Sequence, residues 1–144
     1  MYTHIEFLQK FSLAYSAMCK PLCQQLKLPQ TALDILMFFA NNPQYKTAAD
    51  VVELRRLKAN LVSVNVDKLV QEGYLERRDD KDDRRRTLLF CTDKAQDIIK
   101  KGREIQLAFK DSLFAGIEEQ DQKLFLEVIG AMEKNMDHIL KGAM

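Results

Sequence analysis

A chain of 144 residues with 47% hydrophobic and 30% charged side chains has the size of one domain and the composition of a folded, globular protein rather than a disordered one. It contains no apolar run approaching the roughly 18 residues of a membrane span. Its start, MYTHIEFLQKF, lacks the basic-then-apolar order of a secretory signal, and its three cysteines fit reduced thiols better than a disulfide framework, so a cytoplasmic location is expected. The net charge of +1 conceals an asymmetry. Residues 46–103 carry 15 Lys/Arg against 11 Asp/Glu, whereas residues 104–144 carry 4 against 8. A mildly basic middle beside an acidic end suggests a nucleic-acid face kept apart from other surfaces.

Apolar residues at 5, 8, 11, 15, 18, 22 and 26 step by three and four, which predicts one amphipathic helix from Ile5 to Leu26. Pro21 should kink or locally break it, because proline lacks an N–H and crowds the preceding turn. A second helix is expected from Gln30 to Asn41, with Leu33, Leu36, Met37 and Ala40 inward, followed by turn chemistry at NNPQY. TAADVVELRR (47–56) reads as a third helix, capped by Thr47 with Asp50 at the capping-box position. The turn at 55–57 then leads into LKANLVSVNVDKLVQEG (57–73), where Val62, Val66 and Leu69 share one face and Gly73 supplies the stop. Residues 47–72 together read as a helix-turn-helix.

Two short strands follow, YLERR (74–78) and RTLLFCT (86–92), separated by DDKDDRR, which has no apolar side chain. A helix followed at once by a hairpin with a charged tip is the layout of a winged helix: the helix suits a DNA major groove, and the tip suits the neighbouring minor groove. Thr92 should cap a long helix reaching about Ala115, and after Gly116 a last helix is expected over about Glu119 to Lys141. The terminal helices carry more apolar surface than three short helices and a hairpin can cover. A second copy of the chain, related by a two-fold axis, is the economical partner, and packing of the two ends on each other within one chain is the alternative.

The run GYLERRDDKDDRRRTLLFCTDKA (73–95) resembles the signature of the MarR family of bacterial winged-helix regulators. Asp83 and Arg85 fall on the family's Asp-x-Arg pair, and Thr92, Asp93 and Lys94 on its helix start; Ala95 stands where the family most often has glycine. The resemblance implies a mainly α fold with a small β-hairpin wing. It implies six helices forming a single domain over 1–144, with a DNA-binding lobe at about 30–95 and dimerisation helices at about 1–28 and 96–144. It also implies a homodimeric regulator, expected here as a ligand-responsive repressor of a palindromic operator, with double-stranded DNA and a small-molecule effector as partners, and no cofactor.

Lys58, Asn60, Ser63, Val64 and Lys68 lie on or near the exposed face of the recognition helix. Lysine can hold a phosphate or a guanine edge, asparagine can pair with adenine, serine can serve either, and Val64 can meet a thymine methyl. The family usually has an apolar residue where this chain has Asn65, so either the helix is slightly rotated or Asn65 faces the groove. Arg84, Arg85 and Arg86 stand beside Asp79, Asp80, Asp82 and Asp83, an odd choice for a purely electrostatic clamp. The resemblance implies that Asp83 orients Arg85, whose guanidinium suits a narrow minor groove. Arg84 is counted with it as a DNA contact.

Cys19 and Cys23 share a helix face, which opens packing, redox sensing and a metal pair as readings; no further ligands stand at metal spacing, and sensing needs a depressed thiol pKa. Tyr15, Met18, Met37, Phe38 and Phe109 could line the effector pocket that the resemblance implies, or be ordinary core. No phosphate loop, nucleophile elbow or metal pattern points to an enzyme. A winged-helix module for protein assembly without DNA remains the rival function.

Overall fold

The computed structural model of the chain describes residues 3–142. The elements run α1 (Thr3–Leu26), α2 (Gln30–Asn41), α3 (Ala48–Arg55), α4 (Ala59–Gln71), β1 (Leu75–Asp79), β2 (Thr87–Cys91), α5 (Gln96–Leu113) and α6 (Glu119–Leu140). They fall into two compact units, Met1–Phe109 and Lys110–Met144.

The first unit is built around α2. The spacing of its apolar residues predicts a single inward stripe, yet Ala32, Leu33, Ile35, Leu36, Met37, Phe38 and Phe39 are all buried and Ala40 is only half-buried. A helix apolar on most of its circumference belongs inside a core, and neighbours cover this one on all but the side where Asp34 is exposed. α1 contributes its second half, where Cys19 and Leu22 are buried; Ile5, Phe7, Leu8 and Phe11 in its first half stay exposed. Pro21 does not break α1, which continues to Leu26. Both Pro21 and Ala17, whose carbonyl loses its N–H partner, lie on the exposed side, where water can satisfy that oxygen.

Thr47 caps α3 through the expected capping box: its hydroxyl accepts the Asp50 N–H at 3.2 Å, and Asp50 Oδ2 accepts the Thr47 N–H at 3.1 Å. Arg56, at φ 56°, makes the left-handed turn into α4. Val62, Asn65, Val66 and Leu69 form the buried face of α4. Asn65 therefore does not face the groove. It is 5% exposed, and its Nδ2 donates to the Leu61 carbonyl at 2.8 Å, so the one polar side chain on this face is satisfied by its own helix.

β1 and β2 pair antiparallel from Leu75↔Cys91 to Asp79↔Thr87, with Leu75 and Leu89 turned into the core. The Leu89 N–H also donates to the Lys46 carbonyl at 2.7 Å, which ties the hairpin to the segment before α3. α5 begins at Gln96, four residues beyond the expected cap, because Thr92–Ala95 first forms a turn whose Ala95 N–H donates to both the carbonyl and the hydroxyl of Thr92.

In the second unit, Gly116 takes φ 78°, a left-handed conformation that suits a residue without Cβ between two helices. Phe114 and Phe125 meet edge to face, 5.9 Å between centroids. None of the described residues of α6 is buried: Leu124, Phe125, Val128, Met132, Met136, Ile139 and Leu140 are all exposed.

Candidate nucleic-acid interface

Burying Val62, Val66 and Leu69 turns the opposite side of α4 to solvent. Lys58, Asn60, Ser63 and Val64 are all exposed there, and Lys68 is half-buried at the edge with its Nζ 3.9 Å from Glu72. Asn60 Oδ1 accepts the Leu61 N–H at 2.9 Å, leaving its amide NH2 group to donate outward. Asp67, on the same face, is paired with Arg77 of β1, so its carboxylate is neutralised and the hairpin is clipped to the helix. The sequence reading missed Leu61, which is 42% exposed beside Val64 at 66%. Its place one residue before Val62 was the available signal.

The charged tip, residues 80–86, is held by its own aspartates. Asp80 Oδ1 accepts the Asp82 N–H at 3.0 Å, and Asp83 Oδ1 accepts the Arg85 N–H at 3.0 Å. The Asp83 carbonyl accepts the Arg86 N–H at 3.0 Å, and the Asp80 N–H closes the loop on the Arg86 carbonyl at 3.3 Å. These are side-chain-to-backbone turns of the kind that aspartate forms readily. The Asp80 carboxylate also lies 3.8 Å from the Arg86 guanidinium, tethering that arginine. Among the described residues neither Arg84 nor Arg85 has a carboxylate partner, and both are exposed. The acidic residues thus shape the tip, and Asp83 meets Arg85 at its backbone rather than at its guanidinium.

Behind the hairpin, Thr92 donates its hydroxyl to the Gly73 carbonyl at 2.6 Å, and Lys94 Nζ donates to the Glu72 carbonyl at 2.8 Å while lying 5.0 Å from the Tyr74 ring centre. Both side chains take up carbonyls left open where α4 ends, which fixes the exit of the recognition helix against the hairpin. Gly73 permits the close turn with φ 82°.

Elsewhere in the first unit, Tyr15, Met37 and Phe109 line a cavity of about 410 Å³ together with Asp34, Arg55 and Gln106. Phe109 packs edge-on against Phe11 at 5.1 Å and against Tyr15 at 5.2 Å. Burial pushes the Tyr15 hydroxyl up to about 12, against the opposing effect of its hydrogen bond with Gln106. Asp34, at the rim, is also raised by burial, with Arg55 and Gln30 pulling the other way. Met18 and Phe38 do not line this cavity. Phe38 is core, stacked on Tyr45 at 5.9 Å and edge-on to Phe39, and Met18 is half-buried on α1.

Cys19 is buried and Cys23 half-buried; burial pushes both thiols up, the reverse of what a reactive thiolate needs. Cys91 is raised by burial as well, despite Arg103 nearby. Among the described residues there is no group of three or more His, Cys, Asp and Glu side chains placed to hold a metal ion. No helix among them is long and apolar enough to cross a membrane.

Residues 26–86, which hold α2, the helix-turn-helix and the wing, match the model of the MarR family. Over this stretch the chain is similar to the MarR family. It is 24% identical over 126 residues to the HTH-type transcriptional regulator BilQ of Clostridium symbiosum (strain WAL-14163), with 85% of each chain covered. Its fold is that of solved MarR regulators. A MarR-family transcriptional regulator from Listeria monocytogenes, complexed with 26mer DNA, aligns with TM-score 0.84 and 15% identity over 96% of this chain and 94% of that one. The transcriptional regulator SlyA aligns equally well, with 14% identity over 97% and 98%. In this chain the side chains of Asp83, Thr92 and Lys94 all act on backbone groups: the Arg85 N–H, the Gly73 carbonyl and the Glu72 carbonyl.

Proposed function

We propose that this protein is a member of the MarR family, a sequence-specific DNA-binding repressor that acts as a homodimer. The outward face of α4, with Lys58, Asn60, Ser63, Val64 and Lys68, enters a major groove, and Arg85, with Arg84 beside it, enters the flanking minor groove. Residues 30–95 form the DNA-binding lobe, and 1–28 with 96–144 form the dimerisation helices. The observation that carries the reading is the wing: two of its aspartates, Asp80 and Asp83, are occupied with backbone N–H groups while Arg84 and Arg85 are left exposed and unpaired among the described residues. A solvated charge run has no need of that division of labour. The DNA-bound Listeria relative of the same fold supports it.

The exposed apolar residues of α6 and of the first half of α1 support the homodimer, since large unpartnered apolar faces mark association surfaces. Two-fold symmetry then implies a palindromic operator with half-sites about one helical turn apart. The cavity lined by Tyr15, Met37 and Phe109 is the place for a small-molecule effector that favours a dimer whose lobes no longer match that spacing. The raised thiols of Cys19 and Cys23 favour packing over redox sensing.

The test is retention of DNA fragments from the protein's own genome, followed by footprinting. The expected result is a protected palindrome with two major-groove half-sites. Failure to retain any duplex, its own upstream DNA included, returns the fold to a protein-assembly role.

A further inference from the structure

We infer that each half-site is read in part through thymine methyl groups by an apolar pair, Leu61 and Val64, an inference that rests on the DNA-binding reading above. Between Lys58 and Lys68 the outward side chains of α4 are Ala59, Asn60, Leu61, Ser63, Val64 and Asp67. This stretch holds no arginine or lysine, the side chains that read guanine edges in the major groove, and Asn60 is its one exposed adenine reader. Of its three polar members Asp67 is paired with Arg77, and Asn60, whose Oδ1 accepts the Leu61 N–H, keeps its amide NH2 group to donate, as Ser63 keeps its hydroxyl. Leu61 and Val64, three residues apart and so neighbours on the helix surface, are its two large apolar members. Leu61 is 42% exposed and Val64 66% exposed; Lys58 is exposed one turn before them, Lys68 is half-buried one turn after them beside Glu72, and Arg84 and Arg85 are exposed on the wing.

That charge pattern commits the surface to a polyanion rather than to an apolar partner helix. The one apolar group on a major-groove edge is the C5 methyl of thymine. Leu61 and Val64, three residues apart, are separated by about 4.5 Å along the helix axis. Base steps are separated by about 3.4 Å along a strand. The two side chains thus address neighbouring or next-neighbouring steps. The same geometry makes the contact a methyl reader rather than a thymine reader. A 5-methylcytosine at the same step presents the same group, so the affinity of this face depends on cytosine methylation wherever its site admits a cytosine.

The experiment uses the full-length protein and a duplex that it selects from a random-sequence pool, with affinities read by fluorescence anisotropy. Replacing thymine by deoxyuridine one position at a time should weaken binding about fourfold at one or two positions of each half-site, the worth of roughly one buried methyl. At those positions cytosine should bind worse than 5-methylcytosine. Val64→Ala should abolish the preference for thymine over uracil at one position, and Leu61→Ala at its neighbour. Both residues are exposed, so unfolding midpoints near the parent's are expected, and Val64→Thr, which keeps one methyl, should retain part of the preference. A selected duplex that binds equally well with uracil throughout overturns the inference and leaves DNA binding intact. So does a methyl preference that survives Val64→Ala and Leu61→Ala combined. A protein that selects no duplex overturns the proposed function and this inference with it.

Discussion

Replacing Asp83 separates a wing that works by shape from one that works by charge. Asp83 Oδ1 accepts the Arg85 N–H at 3.0 Å, so Asp83→Ala removes one hydrogen bond from an exposed loop and one negative charge from each wing. If only charge matters, the wing becomes more positive, affinity rises, and the log–log salt slope steepens by about two units for a dimer, near 0.9 per subunit. If Asp83 holds Arg85 in place, the lost hydrogen bond is worth about 1 kcal/mol per subunit at an exposed site. Two wings then cost about 2 kcal/mol, roughly a thirtyfold loss of operator affinity. Asp83→Asn sharpens the contrast, because it keeps an oxygen acceptor at the same place and drops the charge; it should bind at least as tightly as the parent. Anisotropy titrations of parent, Asp83→Ala and Asp83→Asn across a salt series decide the matter. Asp83→Ala binding as tightly as the parent at every salt concentration refutes the positioning role.

Arg85→Ala should weaken operator binding and lower the salt slope by about two units for a dimer, with the preferred major-groove bases unchanged in a selection experiment. Gly102→Ala should destabilise the fold by about 1 kcal/mol in urea denaturation, because overpacking exceeds the gain in helix propensity; the added Cβ would lie 2.4 Å from Met37 Sδ and 3.2 Å from Met37 Cγ. Met132→Asp or Leu140→Asp, each on the exposed face of α6, should abolish the proposed dimer in light scattering, while the parent's unfolding midpoint should rise with protein concentration. Tyr15 keeps its proton up to about pH 12 when folded and gives it up near 10 when unfolded, so its contribution is intact below 10 and lost as pH rises from 10 to 12. Tyr15→Phe should therefore flatten the fall in stability over that window, measured by denaturation at fixed pH values; an unchanged pH profile would contradict it.

The sequence by itself determined the order and type of the elements, because each follows from local chemistry. Steps of three and four in apolar residues made the helices, Gly73 stopped the recognition helix, Thr47 and Asp50 formed their capping box, and a seven-residue charged run between two short apolar segments could only be a hairpin tip. The wing pair was legible for the same reason, since Asp83 acts two residues away on Arg85. What the sequence left open depended on which neighbours cover a side chain. Periodicity gave α2 one inward stripe, but contacts from several sides bury Ile35, Phe38 and Phe39 as well. Asn65 was ambiguous until its amide was placed on the Leu61 carbonyl. The cavity took Tyr15, Met37 and Phe109 from segments more than 90 residues apart in the chain and left out Met18 and Phe38, the latter turned into the core against Phe39 and Tyr45. The Leu89–Lys46 hydrogen bond and the Arg77–Asp67 pair, which hold the wing to the helices, likewise join segments whose approach no local pattern encodes. Spacing along a chain fixes which face of a helix is apolar, and only packing decides which part of that face is covered.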